Sequence, residues 1–248
     1  MQYFDFSFPL NIYAHALYLE NGHVNYLHYG FNVEQGIDEA QQNSTDFIMS
    51  QLPLAPLEIL EVGIGLGTTA TQLIKAGYNY TGIVPDPAQI AYCKEKGLNL
   101  IESRFELMPQ QKQYDIILFQ ESAQYISAKL LLKKAHALLK PAGYLLVLDE
   151  IATEVIEELI QLAHQLGFEI VKQQDFTKEA APSLNELVEI IYKHRSFLLQ
   201  DLQLSSLQLS RLLYDLDVRK QAYQDKQYSY MFFQLKPKQF LRSSFQFT

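Results

Sequence analysis

Between residues 57 and 148, short apolar runs alternate with longer segments in which apolar residues recur at helical spacing. The runs that predict β-strands read LEILEV, YTGIV, NLIES, YDIILF and YLLVLD. Buried parallel strands need cover on both faces, and helices that alternate with them along the chain provide that cover. The pattern therefore predicts a parallel sheet with helices on both of its faces.

The helices between these strands have recognisable ends. The first begins near Thr68 and stops at Gly77, a residue type that readily adopts the left-handed conformation at a helix C-terminus. The second has Pro87 in its first turn and closes with Gly97, the usual asymmetry of helix ends. The third segment, AKLLLKKAHALLKPAG, has the same form and ends in a proline-glycine stop. Each predicted helix thus fills one crossover between two strands.

Two further strands are predicted beyond the fifth. Thr153 is expected to cap a helix that runs to Gly167, and FEIVKQQDF then predicts a sixth strand. From Pro182 to about Gln227 the chain is helical and rich in Leu and Gln, before YSYMFFQLK predicts a seventh strand. We interpret the inserted helices as a cap over one edge of the sheet. Packing of these helices against the core alone is the alternative.

Composition and charge narrow the range of partners. The chain has 20 basic and 28 acidic residues in 248, a net charge of -8 without a block of like charge. A surface that follows nucleic-acid phosphates needs clustered Lys and Arg, so a small-molecule or lipid-like partner is expected and nucleic acid is not. The single cysteine, Cys93, excludes an internal disulfide and a cysteine-based zinc cluster. No metal site is expected.

The N-terminal segment and the apolar runs bear on location. MQYFDFSFPLN lacks the basic and long apolar regions of an export signal. Runs such as GYLLVL and DIILF are of strand length and too short to span a bilayer. A cytoplasmic location without a membrane span is therefore expected.

The stretch LEVGIGLGTT carries the main chemical signal. It places Gly63, Gly65 and Gly67 where a strand passes into a helix, so that the backbone can turn sharply and a ligand can lie against it. The spacing matches neither a dinucleotide fingerprint nor a P-loop. Glu61, just before the turn, would repel a pyrophosphate but suits a cationic group. A ligand with an adenosine and a cationic amine fits both features, and close strand-helix packing is the alternative reading of the glycines.

These residues resemble the first motif of class I S-adenosylmethionine-dependent methyltransferases. The resemblance continues through YTGIVPDPAQIAYCKEKG and NLIESRFELMPQQKQYDIILFQESAQYI. The later segments DFTKEAAPSLNELVEIIYKHR and YSYMFF resemble the small-molecule branch that includes tocopherol-, sterol- and sugar-modifying enzymes. The resemblance implies S-adenosylmethionine as cofactor, a helical cap over the acceptor, and an N-terminal segment, YLHYG, that folds over the cofactor.

Pattern and resemblance together predict an α/β fold: a Rossmann-like, seven-stranded, mostly parallel sheet with helices on both faces, an N-terminal helical lid and a helical cap inserted before the last strand. The predicted parts are the N-terminal helices and lid in residues 1–52, the core in 53–181 and 228–236, the cap in 182–227 and a tail in 237–248. A homodimer is a further expectation.

The resemblance also implies which residues bind the cofactor. They are Glu61, Gly63, Gly65, Gly67, Pro85, Asp86, Gln89, Arg104, Phe105, Gln120, Tyr26 and Tyr29. The chain departs from the family where an acid normally holds the ribose, because Val84 stands there. We expect either Asp86, two residues later, or Gln89 to take over that contact, or a weaker site. Arg104 stands near the expected adenine, where it could stack, contact an acidic acceptor or remain a solvated loop charge.

A second departure concerns proton transfer. Relatives carry a His after the fourth strand, where this chain has Gln124 and Tyr125. The predicted catalytic residues are Tyr125, Asp149 and His28, with Glu121 as a further acid-base candidate at a strand end. Each also has a structural interpretation, such as helix capping for Asp149 or loop anchoring for Glu121. The predicted function is methyl transfer to a small, hydrophobic or aromatic acceptor, and the alternative is a non-catalytic or atypical binder of S-adenosylmethionine or S-adenosylhomocysteine.

Overall fold

The computed structural model describes residues 5–110 and 112–238, and the following statements refer to these residues. They form one seven-stranded sheet with the strand order β3-β2-β1-β4-β5-β7-β6. The strands are β1 (Glu58–Val62), β2 (Asn79–Val84), β3 (Leu100–Glu102), β4 (Tyr114–Gln120), β5 (Leu139–Ala152), β6 (Phe168–Asp175) and β7 (Tyr228–Pro237). The first five strands are parallel, and β7 runs antiparallel between β5 and β6. The predicted fold class is confirmed.

Nine α-helices of the described chain cover the sheet. They are α1 (Leu10–Asn21), α2 (Ile37–Ser50), α3 (Thr68–Lys75), α4 (Pro87–Lys94), α5 (Ala128–Leu138), α6 (Ile156–Gln165), α7 (Thr177–Lys193), α8 (Arg195–Asp201) and α9 (Ser206–Gln224). Helices α1 to α4 and α7 to α9 contribute to the apolar core on one face of the sheet. Helices α5 and α6 contribute to the core on the other face. None of the described helices is long and apolar enough to cross a membrane.

Three helix boundaries differ from the sequence pattern. Thr153 does not cap α6, because residues 153–155 form a separate 3-10 turn and the Thr153 hydroxyl bonds to Ser229 at 2.9 Å. Helix α7 begins at Thr177, before the predicted cap boundary, and includes Pro182. Helix α5 ends at Leu138 and the chain enters β5 at once, so the proline-glycine segment belongs to the irregular start of that strand.

Candidate functional site

A cavity of about 570 Å³ opens at the carboxyl ends of β1, β2 and β4. Ligands of open α/β sheets gather at this edge, and the volume is that of a typical small-molecule site. The loops after the strands line one end of the cavity, and side chains of α1, α7 and α9 line the other. We call these the cofactor end and the acceptor end.

Gly65 is the point where the backbone itself faces the cavity. Its φ angle is +52°, and a Cβ placed on it would have only Leu27 Cδ1 nearby, at 4.0 Å. The turn therefore leaves open space that a side chain would fill. A ligand can lie directly against this backbone.

Gly63 and Gly67 serve close packing instead. A Cβ on Gly63 would come within 2.5 Å of the Cβ of Ser122, and a Cβ on Gly67 within 2.5 Å of Leu98 Cδ1. Gly63 still lines the cavity, whereas Gly67 does not. Close packing therefore accounts for Gly63 and Gly67, and contact with a ligand stays a prediction for Gly65.

The end of β2 lacks the expected ribose acid. Val84 is buried at the cavity wall, followed by Pro85, which also lines the cavity. Asp86 is the N-cap of α4: its Oδ1 accepts from two backbone N–H groups of the first turn, at 2.8 and 3.4 Å. Its Oδ2 accepts from the backbone N–H of Ser7 at 2.9 Å. Asp86 thus borders the cavity, but both carboxylate oxygens already have protein donors.

Glu61 brings a buried carboxyl group to the cofactor end. It is 2% exposed, and its Oε2 accepts a hydrogen bond from the hydroxyl of Tyr80 at 2.7 Å. Burial raises the pKa of Glu61 to about 8, because removal from water disfavours the charged form. A cationic ligand group beside this carboxyl would stabilise its charged form.

The remaining predicted residues of the cofactor end lie around this turn. Gln89 donates from Nε2 to the carbonyl of Gly65 at 3.2 Å, which braces the turn from α4. Arg104 and Phe105 line the opposite wall, and Phe105 packs edge-on against Phe119 with ring centroids 5.1 Å apart. These contacts hold the wall in place without ligand.

Gln120, at the end of β4, connects three elements beneath the cavity. Its Oε1 accepts from Thr69 at 3.1 Å, and its Nε2 lies 3.1 Å from the hydroxyls of both Ser44 and Thr45. The same nitrogen lies 3.2 Å from Nε2 of His28. Burial lowers the pKa of His28 to about 3, so the imidazole stays neutral at neutral pH. This burial disfavours the acid-base role that the sequence assigned to His28.

The aromatic segment before α2 does fold over the cavity. The Tyr26 hydroxyl accepts a hydrogen bond from Gln72 Nε2 at 2.8 Å, so this ring is tied to α3. The Tyr29 hydroxyl lies 2.8 Å from that of Tyr223 and donates to Glu150 Oε2 at 3.1 Å, so this ring is tied to the acceptor end. Both tyrosines line the cavity. The segment bridges the two ends of the site.

Glu121 has the geometry of a proton acceptor. It follows β4 with a φ of +52°, a strained conformation that clusters at functional sites. Its Oε1 accepts from the Tyr230 hydroxyl at 2.5 Å and from the Gly30 N–H at 3.3 Å. Oε2 has no hydrogen-bond partner among the described residues, and the side chain lines the cavity. Burial raises the pKa of Glu121 to about 8.

Asp149 lies outside this cavity. Its Oδ2 accepts from the N–H groups of Ala123 and Gln124 at 2.6 and 3.2 Å, and burial raises the pKa of Asp149 to about 7. It therefore anchors the turn after β4 and does not cap the helix that follows β5. Tyr125, in that turn, does line the cavity but is 73% exposed at its mouth. Glu121, by contrast, lines the cavity with a side chain that is only 9% exposed.

The sequence did not predict the residues that line the acceptor end. They are Leu10, Tyr13, Leu184, Leu187, Leu216 and Arg219. The leucines give this end an apolar wall, and Arg219 adds a cation that lies 3.1 Å from Glu150 Oε1. Their spacing along amphipathic helices marked them only as inward-facing positions, which core residues share.

The cofactor end fits a nucleoside that carries a cationic amine. Gly65 leaves the open cradle, and Glu61 offers a buried carboxyl group without a cationic partner among the described residues. The wall of Pro85, Arg104 and Phe105 lies where a base could rest. The one mismatch is Val84, which cannot accept hydrogen bonds from ribose hydroxyls.

The family model and the curated relatives to which this chain is similar are methyltransferases. Residues 60–147 match the model of the methyltransferase domain family. The ubiquinone biosynthesis O-methyltransferase of Rickettsia canadensis is 27% identical over 172 residues, which cover 66% of this chain and 69% of the relative. The enzyme of the same description from Rickettsia conorii is 27% identical over 171 residues, which cover 65% of this chain and 56% of the relative.

Solved structures share the fold over most of the chain. A cyclopropane synthase, MmaA2 of Mycobacterium tuberculosis, aligns with a TM-score of 0.74 at 16% identity and covers 85% of this chain and 90% of its own. A putative sarcosine dimethylglycine methyltransferase from Galdieria sulphuraria gives 0.76 at 14% identity and covers 91% and 98%. The cyclase SpnF gives 0.77 at 17% identity and covers 92% and 93%. The shared fold thus supports more than one kind of chemistry, and function has to be argued from the site.

Proposed function

We propose that this chain, a class I S-adenosylmethionine-dependent methyltransferase, methylates a hydroxyl group of a small and largely apolar acceptor. The observation that carries the proposal is the Glu121 carboxyl group, whose Oε2 has no hydrogen-bond partner among the described residues, in a cavity that has the glycine turn at one end and leucines at the other. The similarity to O-methyltransferases of ubiquinone biosynthesis supports a hydroxyl as the acceptor group.

The cofactor end holds S-adenosylmethionine in this proposal. Gly65 gives the surface against which the ligand lies, Glu61 pairs with its amine, and Arg104 and Phe105 border its base. When bound, the cofactor supplies an electrophilic methyl group on a sulfonium. The protein's own contribution is to place the acceptor in line, to exclude water and to accept a proton.

Glu121 is the proton acceptor. The acceptor's O–H bond would break and its proton would pass to Oε2 of Glu121. Its oxygen would bond to the methyl carbon as the methyl–sulfur bond breaks, and S-adenosylhomocysteine would leave. The Tyr230 hydroxyl holds Oε1, so Oε2 is the atom left for the acceptor. Because burial raises the pKa of Glu121 to about 8, the carboxylate that accepts the proton is the minor form at pH 7 and becomes the main form above pH 8. Asp149 holds the turn that directly follows Glu121.

The leucines of α7 and α9 select for an apolar acceptor. Leu184, Leu187 and Leu216 give this part of the cavity an apolar lining, so a polar group against them would lose its water without a partner. No observation favours the alternative of a non-catalytic binder. A cytoplasmic location, the lack of a nucleic-acid partner and a homodimer remain predictions.

The test replaces Glu121 by its neutral isostere. Release of S-adenosylhomocysteine would be followed with S-adenosylmethionine and a panel of alkylphenols. For Glu121→Gln we expect turnover to fall by roughly 100-fold or more, because the general base is gone, while S-adenosylhomocysteine binding measured by calorimetry is unchanged. The rise of wild-type turnover as pH approaches 8 should also vanish in the variant.

The matched control is Glu186→Gln, the same change at an exposed position of α7 outside the cavity. It should keep wild-type turnover. Full activity of Glu121→Gln would show that the acceptor needs no base, as for a neutral amine. Binding of S-adenosylhomocysteine without methylation of any phenol, alcohol or amine would favour the non-catalytic binder.

A further inference from the structure

A buried polar cluster lies beneath the cavity, where the segment before α2 meets the end of β4. The imidazole of His28 is at its centre, with a side chain that is 10% exposed. Its Nε2 lies 3.2 Å from the amide nitrogen of Gln120, and its Nδ1 lies 3.4 Å from the hydroxyl oxygen of Ser44. Nδ1 also lies 3.9 Å from Oε1 of Glu121. The cluster therefore connects His28 to the proposed proton acceptor.

Two neighbours of the imidazole determine which of its nitrogens carries the hydrogen. An amide nitrogen only donates, so a hydrogen on Nε2 of His28 would place two N–H groups face to face, 3.2 Å apart, at Gln120. The Ser44 hydroxyl donates to the carbonyl of Gln41 at 3.0 Å, so its oxygen is left to accept from Nδ1. The neutral imidazole therefore carries its hydrogen on Nδ1.

The orientation of the Gln120 amide follows from the same hydrogen-bond network. Its Oε1 accepts from the Thr69 hydroxyl at 3.1 Å, and its Nε2 lies 3.1 Å from the hydroxyl oxygens of Ser44 and Thr45. Because the Ser44 oxygen acts as an acceptor, the amide atom beside it has to be the donating nitrogen. The end of β4 thus selects the tautomer of the imidazole.

The N–H group of His28 faces a carboxyl group whose charge has little other support. The Glu121 Oε1 accepts from the Tyr230 hydroxyl at 2.5 Å and from a backbone N–H group at 3.3 Å. The carboxyl groups of Asp149 and Glu150 oppose its ionisation. Among the described residues, Glu121 has no lysine or arginine at ion-pair distance. An N–H dipole directed at Oε1 therefore favours the charged form of Glu121.

The other titratable groups around this cluster are phenols. Those that face Glu121 lie on α1, the segment before α2, the turn after β4, α9 and β7, and burial raises the pKa of each: Tyr13, Tyr29, Tyr125, Tyr223 and Tyr230. The ring of Tyr26 packs against His28 with centroids 4.9 Å apart, and its pKa is raised as well. Because these phenols stay neutral at pH 7, the ionisation of Glu121 depends on the donors at Oε1.

We propose that His28 is a positioning residue for methyl transfer: as a neutral imidazole with its hydrogen on Nδ1, it favours the carboxylate form of Glu121 and leaves Oε2 to the acceptor. This inference rests on the proposed function, in which Glu121 accepts the proton. At 3.9 Å the N–H acts on Oε1 as a dipole on a charge, while its hydrogen bond goes to Ser44. His28 exchanges no proton in this role, in agreement with its burial.

The tautomer can be observed directly by nitrogen NMR of wild-type protein isotope-labelled in its histidine side chains. Protonated and unprotonated ring nitrogens resonate far apart, and couplings to the ring hydrogens distinguish Nδ1 from Nε2. The signals of His28 are those that are missing from His28→Asn. We expect a protonated Nδ1 and an unprotonated Nε2 at neutral pH. A hydrogen on Nε2 would overturn the proposal.

The effect on Glu121 is measured by carbon NMR titration of its carboxyl group, assigned with Glu121→Gln. His28→Phe keeps a flat ring and removes the N–H, so the ionised fraction of Glu121 at pH 7 should fall by roughly threefold. His28→Asn, whose amide can place an N–H near the position of Nδ1, should recover most of that fraction. Equal titration of Glu121 in wild type and His28→Phe would contradict the proposed role.

Turnover separates a positioning role from a structural one. His28→Phe should lower turnover at pH 7 by roughly threefold, and the loss should disappear at a pH where Glu121 is fully ionised. In the Glu121→Gln background the same change should cause no further loss, because the charge on which the N–H acts is gone. Equal losses at every pH and in both backgrounds would mean that His28 serves only the structure.

The matched control is His23→Phe, the same change at a histidine near the end of α1 whose side chain is 54% exposed and lies outside the cavity. It should alter neither the titration of Glu121 nor turnover. Thermal unfolding verifies that the variants are folded, and the tautomer in wild type is measured without His28→Phe.

The readouts separate this inference from the proposed function. Full activity of Glu121→Gln would reject the proposed function even where His28→Phe shifts the titration of Glu121. An inactive Glu121→Gln together with an unchanged titration in His28→Phe would keep the proposed function and reject the role of His28.

Discussion

The cofactor end and the acceptor end of the cavity are built in different ways. The cofactor end is formed mainly by loops that follow β1, β2 and β3, within residues 61–105. The acceptor end combines Leu10 of α1 with Leu216 and Arg219 of α9, far apart in the chain. Local backbone geometry creates the first end, whereas packing between distant helices creates the second.

The cofactor end follows from the fold that this chain shares with other proteins, whereas the acceptor end depends on how the helices of this chain pack. Parallel strands bring their carboxyl ends to one edge, so a strand order alone produces the cofactor end. The acceptor end depends on how α1 and the helices after β6 pack over that edge. The matched family model, residues 60–147, covers the first and leaves most of the second outside. Substitutions should therefore affect the two ends separately.

The largest expected effect is the loss of cofactor binding in Gly65→Arg. The side chain would occupy the open space at the turn, where a Cβ has only Leu27 nearby. We expect the affinity for S-adenosylhomocysteine to fall by at least about 100-fold in calorimetry. Long-chain alkylphenols should still stabilise the variant in a thermal-shift assay, because the acceptor end is intact.

The control for this prediction is Gly97→Arg. Gly97 also has a positive φ, +75°, and open space around it, but it lies at the end of α4 outside the cavity. It should lose a similar stability, roughly 1 kcal/mol, and keep cofactor affinity. Unimpaired binding by Gly65→Arg would move the cofactor site away from the glycine turn.

A smaller effect is expected in the pH dependence of stability. Burial raises the pKa values of Glu61 and Glu121 to about 8 and of Asp149 to about 7, so the folded state holds protons that the unfolded chain releases. Stability should therefore fall as pH rises to about 8 and then level off. Below the ordinary His pKa of 6.5, His28 acts in the opposite direction, because its folded pKa is about 3. We expect the melting temperature to drop by roughly 10 °C from pH 6.5 to 8.5.

Bound ligand should change the pH dependence of the melting temperature through Glu61 at the cofactor end and not through Glu121. Saturating S-adenosylhomocysteine carries an amine that favours ionised Glu61, so it should reduce the drop in melting temperature. That reduction should disappear in Glu61→Gln and persist in Glu121→Gln. Equal responses of the two variants would contradict the placement of the amine beside Glu61.

The smallest expected effect concerns Asp86. Because its carboxylate caps α4 and accepts the Ser7 N–H, Asp86→Ala should cost about 1 kcal/mol of unfolding free energy. The dissociation constant for S-adenosylhomocysteine should change by less than about twofold. Asp86→Ser, which retains a capping oxygen, should recover most of the stability in urea unfolding. A tenfold loss of affinity in Asp86→Ala with normal affinity in Asp86→Asn would restore the ribose contact.

Sequence alone determined the sheet, its crossovers and the glycine turn. Apolar periodicity and helix-end residues are local signals, so the strands and helices could be predicted within a few residues. The motif around Gly65 likewise predicts a ligand surface, because a strand that turns into a helix through glycines has few alternative conformations. Thr153 shows the limit: a suitable capping residue does not cap when the chain inserts a 3-10 turn after it.

Tertiary structure decided which carboxyl group faces the cavity. Glu121 directly follows β4 and Asp149 lies near the end of β5, and the sequence pattern favoured Asp149. The positive φ of Glu121 and its bond to Tyr230 direct that residue to the cavity, while the turn after β4 covers Asp149 with backbone N–H groups. The succession of strands and helices along the chain follows from local patterns, but strand order in the sheet, side-chain direction and helix packing follow from contacts between residues distant in sequence.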